Sequence, residues 1–124
     1  MKKSLISVLL IVFIVSGLVL FSNMYFGTVS GSSEFNGIIT SDVTWTKANS
    51  PYILTGPVGV GKGVTLTVEA GVTVNLNGYY LQVNGTLIAR GSSADKINLN
   101  DGSIVFTSVS NSWNEQMSSG CIIE

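Results

Sequence analysis

From Pro51 onward the chain is built of short stretches in which apolar and polar residues alternate. Four of them echo one another: ILTGPVGV over Ile53–Val60, LTVEAGVTV over Leu66–Val74, LQVNGTLIA over Leu81–Ala89 and INLNDGSIVF over Ile97–Phe106. The last three share one grammar. An apolar-x-apolar triplet leads, one or two polar residues follow, then a glycine, then a second triplet. The glycines are Gly71, Gly85 and Gly102; the first stretch, with Gly56, fits more loosely. Alternation with period two predicts strands with one buried face. Leu66, Val68, Val72 and Val74 share one face, and Thr65, Thr67, Thr73 and Asn75 the other. In the next unit Leu81, Val83, Leu87 and Ala89 point inward and Gln82, Asn84 and Thr86 outward, with Ile88 as the exception. Glycine at each bend supplies a positive φ that other residues resist, and valine and threonine supply β propensity.

The units also recur. Leu66, Leu81 and Ile97 hold corresponding positions, 15 and then 16 residues apart. Regular self-similarity marks a repeat architecture in which like stacks on like. Asn77-Gly78, Asn84-Gly85 and Asp101-Gly102 are equally good hairpin signals, so local grammar leaves a β-meander or sandwich open. The near-equal spacing favours a solenoid.

The N-terminal region differs in kind. Lys2 and Lys3 precede an apolar run from Leu5 to Phe21, broken only by Ser7, Ser16 and Gly17. A positive start followed by such a run is an export pattern. Its length suits either a signal peptide or, extended through Met24, Tyr25 and Phe26, a membrane anchor, which needs about 20 residues. Both readings keep the lysines inside and send the rest out. Residues 1–31 are therefore read as a signal peptide or an N-terminal membrane anchor. Residues 32–50 are read as a polar linker and N-cap, with a short strand near Val43–Trp45, and residues 51–124 as the repeat.

Composition narrows the chemistry. With 124 residues, no histidine, one cysteine, 14 glycines and a net charge of −1, the chain lacks the commonest general base. It also has no basic stripe for nucleic acid. Cys121, beside Ile122 and Ile123, reads as a small buried hydrophobe.

GPVGVGKG, Gly56–Gly63, is one residue short of a phosphate-binding loop. That loop needs a serine or threonine after the lysine and a helix behind it. Here Gly63 follows Lys62, and a β-rich stretch follows Gly63. A turn with a solvated lysine is the better reading, and no nucleotide is expected. The acids Glu34, Asp42, Glu69, Asp95, Asp101, Glu115 and Glu124 are scattered, with Glu69 and Asp101 beside bends and Asp95-Lys96 a loop pair. Asn98–Gly102, NLNDG, lacks the further acidic ligands of a calcium loop. No catalytic, cofactor-binding or metal site is read from these residues. Asn84-Gly85-Thr86 is an N-glycosylation sequon on an exported chain, which makes Asn84 a candidate attachment site. Asn75, Asn77, Asn84, Asn98 and Asn100 are placed to stack as amide ladders.

Residues 50–124 resemble the opening coils of right-handed parallel β-helix proteins of bacterial and archaeal cell surfaces. The likeness rests on Ser50-Pro51-Tyr52, on Gly63–Val74 (GVTLTVEAGVTV), on Leu81–Gly91 (LQVNGTLIARG), on Ile104–Ser108 (IVFTS) and on Trp113. The resemblance implies an all-β, right-handed parallel β-helix (solenoid) of about three coils, preceded by an N-terminal hydrophobic helix. The family pattern continues with further coils after the tryptophan. Here NEQMSSG and CIIE follow, so the coils are read as incomplete at the C-terminus, with an unpaired last edge. The functional expectation is an exported, cell-surface structural or binding module, possessing no catalytic site of its own and contacting glycans or other envelope polymers. It would meet the membrane through its N-terminal segment. The alternative is the N-terminal part of a β-helix polysaccharide lyase or glycoside hydrolase whose active-site coils lie elsewhere. Magnesium–ATP is expected to leave the melting temperature of the protein unchanged. A saturable, magnesium-dependent rise would restore the phosphate-loop reading.

Overall fold

The computed structural model describes residues 31–124; the apolar run Leu5–Phe21, and with it the expected N-terminal helix, lies outside the described residues. The described part forms one compact unit. Its strands are β1 (Ser33–Ile39), β2 (Val43–Trp45), β3 (Tyr52–Val60), β4 (Thr65–Val68), β5 (Thr73–Asn75), β6 (Tyr80–Val83), β7 (Thr86–Ala89), β8 (Asn98–Asn100), β9 (Ser103–Phe106) and β10 (Ile122–Ile123). A single short 3-10 turn, Lys47–Asn49, is the only helical element among the described residues.

All strand pairs are parallel. One sheet runs β8-β5-β3-β6-β9, with β1 also on β3; the second runs β10-β7-β4-β2. The long β3 explains the branching. Its first residues pair with β5 and its last with β6. The chain therefore winds as a parallel β-solenoid of about three turns. The hairpin alternative falls here. Asn77-Gly78 and Asp101-Gly102 are corners within a coil, with Asn77 and Asp101 in the left-handed region at φ 51° and 57°. The two corners lie one above the other: the Gly78 N–H donates to the Asp101 carbonyl at 2.6 Å and that of Leu76 to the Asn100 carbonyl at 2.8 Å.

The stacking period differs from the one the sequence suggests. Leu66 lies on Leu87, not on Leu81; Leu81 lies between Val58 and Ile104. Side-chain hydrogen bonds between successive coils repeatedly span 23 residues. The 15- and 16-residue echoes compare different sides of the winding. Each coil turns a corner, reuses the same strand grammar on its next side, and returns to register only after the full circuit.

The predicted inward positions form the core. Leu66, Val68, Val72, Val74, Leu81, Val83, Leu87 and Ala89 are all buried, in columns with Leu54, Val58 and Val60. Within the expected linker and N-cap, Ser33–Ile39 is a strand paired with β3, with a shift of register between Phe35 and Gly37, and Ile39 is buried. Val43–Trp45 is a strand as expected. Trp45, 1% exposed, stacks on Tyr52 at 4.8 Å between ring centroids and meets Phe35 edge-on at 5.5 Å. This aromatic trio fills the first layer of the core with large rings, where later layers use valine, leucine and alanine. Cys121 is half-buried rather than buried, with its thiol donating to the Gly85 carbonyl and accepting from the Leu87 N–H.

Two corrections concern the bends. Gly71 has the expected positive φ of 81°, but Gly85 and Gly102 do not. They are needed for a different reason. A β-carbon on Gly85 would collide with the carbonyl oxygens of Val64 and Gly61, and one on Gly102 with Leu76 and the Tyr79 carbonyl. The coil beneath occupies the space a side chain would need. Rigid backbone makes that clash harder to relieve than a strained φ in open space. Gly85→Ala should thus destabilise by roughly 3 kcal/mol or more, at the upper end of overpacking penalties. Gly78→Ala, at φ 80° with open space around it, should cost about 1–2 kcal/mol. Urea unfolding of the two variants checks the order; equal midpoints would contradict it.

Candidate functional site

The winding places one outward column across β1, β3, β6 and β9. Ile38 is in register with Gly59, Gly59 with Gln82, and Gln82 with Val105. Gly59 is the gap in that column. A β-carbon there would meet Ile38 Cγ1 at 3.9 Å and the Gln82 carbonyl at 4.0 Å, ordinary contacts that leave room for it. The result is a shallow groove of about 200 Å³ with Gly59 in its floor, bordered by Ile38, Pro57, Tyr80, Gln82 and Asn84.

Each border residue is set by the local pattern. Tyr80 opens β6 and points away from the core because Leu81 and Val83 point into it. Ile38 is the outward neighbour of buried Ile39 and is 74% exposed. Tyr80, 44% exposed, offers an aromatic flank. The amides are held from below and beside. Thr107 Oγ1 donates to Asn84 Oδ1 at 2.8 Å, and Gln82 Nε2 donates to the same oxygen at 3.3 Å. The backbone N–H of Asn84 donates to the Val60 carbonyl at 2.9 Å. Gln82 Oε1 and Asn84 Nδ2 take no part in these bonds. No acid or base lines the groove.

The other residues singled out in the sequence lie elsewhere. Gly56–Val60 belongs to β3, and Gly61-Lys62-Gly63 is the turn into β4, so GPVGVGKG leads from strand to strand. Glu69 Oε2 accepts from the Lys47 N–H at 2.9 Å, and Asp42 Oδ1 from that of Thr65, also at 2.9 Å. Asp95 pairs with Lys47, at 2.8 Å, instead of with its neighbour Lys96. Glu69 and Asp42 thus tie one coil to the next, and Asp95 reaches across two. Among the described residues no three histidine, cysteine, aspartate or glutamate side chains gather as a metal site would require. No described helix is long and apolar enough to cross a membrane. The asparagine ladder forms only in outline: Asn75 and Asn100 are in register, while Asn75 Oδ1 caps the Asn77 N–H and Asn77 Nδ2 donates to the Leu54 carbonyl.

The sequon has a mixed setting. Asn84 is half-buried, and Thr86, expected to face out, is only 7% exposed. The direction was read correctly, but the segment after β9 folds back over that position. Asn111 Nδ2 donates to Thr86 Oγ1 at 2.7 Å. This return also brings Trp113 within 5.0 Å of the Arg90 guanidinium, a cation–π contact. A second cleft, about 450 Å³, opens between the returning segment and β7, lined by Thr65, Ile88 and Met117 among others; it has no aromatic wall.

Sequence reasoning missed the groove because its residues lie 20 or so positions apart and its defining feature is a missing side chain. The signal that points to it is Gly59, an outward glycine inside a strand, where close approach of another molecule is one reason for glycine. The fold defines the chain as a parallel β-solenoid. Comparison with protein-family models, curated proteins and solved structures finds no match for it. Gly59→Ala should change stability by no more than about 0.5 kcal/mol, since its β-carbon meets only ordinary contacts. A large loss on denaturant unfolding would mean that the groove floor is structural.

Proposed function

We propose that the protein is an exported, cell-surface structural and binding module of the right-handed β-helix kind it resembles, contacting glycans or other envelope polymers. The groove over Gly59 carries this reading. An exposed aromatic ring beside amides that still have open hydrogen-bonding positions is a combination that suits sugars. Their C–H faces pack on aromatic rings, and their hydroxyls exchange hydrogen bonds with amides. Export is supported by Lys2, Lys3 and the apolar run Leu5–Phe21. A solenoid supports such a role physically, because its stacked coils form an extended surface whose outward side chains do not disturb the core.

The lyase or hydrolase alternative would need paired carboxylates at the bound sugar. Around this groove the border is neutral, which favours binding over bond cleavage there. Binding to insoluble cell-envelope polysaccharide is the direct measurement. Tyr80→Ala should lower the bound fraction about tenfold, the order expected for losing an aromatic stacking contact and its buried area. Gly59→Phe should abolish binding by filling the floor, with melting close to that of the parent. Undiminished binding by both variants would overturn this site.

A further inference from the structure

We infer that the groove recognises a neutral glycan bearing an acetamido group, an N-acetylhexosamine unit, with Gln82 and Asn84 as its polar readers. The inference rests on the binding-module reading above and sharpens it to a ligand class.

Three observations converge. The border carries no charge, so a uronic acid would bring its carboxylate to a surface with nothing to neutralise it. The free polar atoms are one acceptor, Gln82 Oε1, and one donor, Asn84 Nδ2. They are the two atoms left over when Asn84 Oδ1 accepts from Thr107 Oγ1 and from Gln82 Nε2; turning both amides over would exchange the two roles and still leave one donor beside one acceptor. One acceptor beside one donor is the complement of an amide, whose N–H meets Gln82 Oε1 while its carbonyl meets Asn84 Nδ2. The apolar border residues Ile38 and Pro57 then suit the acetamido methyl, and Tyr80 suits the face of the ring.

Size sets the footprint. The groove, about 200 Å³, is smaller than the roughly 300–1,000 Å³ of enclosed small-molecule pockets. It holds one sugar unit of a chain whose remainder lies on the sheet outside. The same geometry gives Asn84 Nδ2 a second claimant, because a glycan attached at the sequon would be bonded to that nitrogen. An attached glycan and a bound one therefore exclude each other, and the binding form is the one with Asn84 unmodified.

The test is a nitrogen-edited NMR titration of the full chain in detergent, produced without N-glycosylation, with chitotriose, cellotriose and trigalacturonate in parallel. Chitotriose is expected to shift the side-chain amides of Gln82 and Asn84, cellotriose to bind about tenfold more weakly or worse, and trigalacturonate to leave them unmoved. Asn84→Asp keeps an oxygen for Thr107 but removes the donor. It should weaken chitotriose about tenfold with the melting temperature retained. Cellotriose binding as tightly as chitotriose, or full affinity in Asn84→Asp, would overturn the acetamido assignment and leave the binding-module reading standing. Preference for trigalacturonate would overturn the neutrality argument. If none of the three moves a groove resonance, this inference fails and the groove loses its place in the proposed function too.

Discussion

Each coil has to come down onto the one beneath it at β-ladder distance, about 4.8 Å, along all its sides at once. Strands meet that demand easily, because parallel pairing fixes their separation. Corners do not, since there the chain must change direction without rising. Gly85 and Gly102 stand where it changes direction, with carbonyls of Val64, Gly61 and Tyr79 in the space a β-carbon would take. Where the corner itself needs a left-handed residue, Asn77 and Asp101 supply it, in line with the tolerance of asparagine and aspartate for that region. Close corners allow the ladders to stay unbroken, and unbroken ladders keep the apolar columns in contact.

The columns are short and their stabilising power follows from that. Val58, Leu81 and Ile104 form one, and Leu66 and Leu87 belong to another. Burial declines towards the last coil, where Leu99 and Ile104 are only partly covered. The first coil compensates with ring area: Trp45, Tyr52 and Phe35 pack together, and the Tyr52 hydroxyl accepts from the Thr46 N–H at 2.8 Å. Polar ties between coils add specificity more than energy. The Lys47–Asp95 pair is about half exposed, a setting in which ion pairs contribute about 0–1 kcal/mol. It spans from the first coil to a loop far along the chain and so favours one stacking register.

Strand existence and facing were legible because both rest on period two. Leu66 through Ala89 could be assigned inward or outward from alternation alone, and the buried set agrees. Stacking order was not legible. The echo between Leu66 and Leu81 reflects one grammar reused on successive sides of a coil, and a sequence carries no mark of which side a strand occupies. Ser33–Ile39 was hidden for a related reason. Gly37 and its polar neighbours weaken the alternation, yet the ladder with β3 holds the segment through backbone bonds, which polarity does not reveal. Thr86 was correctly pointed outward, but nothing in its own unit announces that Asn111 will return to cover it.

The groove is a consequence of the same rule that builds the core. Inward positions must match from coil to coil, so Val58, Leu81 and Ile104 are all apolar; outward positions carry no such obligation. Ile38, Gly59, Gln82 and Val105 therefore differ freely along one column, and their differences are the surface's shape. A glycine there costs the sheet a little in strand propensity and opens a floor one side chain deep. Its neighbours on either side become walls without any change in the backbone. Because the ladder fixes their spacing, the relative positions of Ile38, Gln82 and Tyr80 are set by the core beneath and not by the mobility of a loop. The groove's shape is thus set in advance by residues that lie beneath it and form no part of its surface.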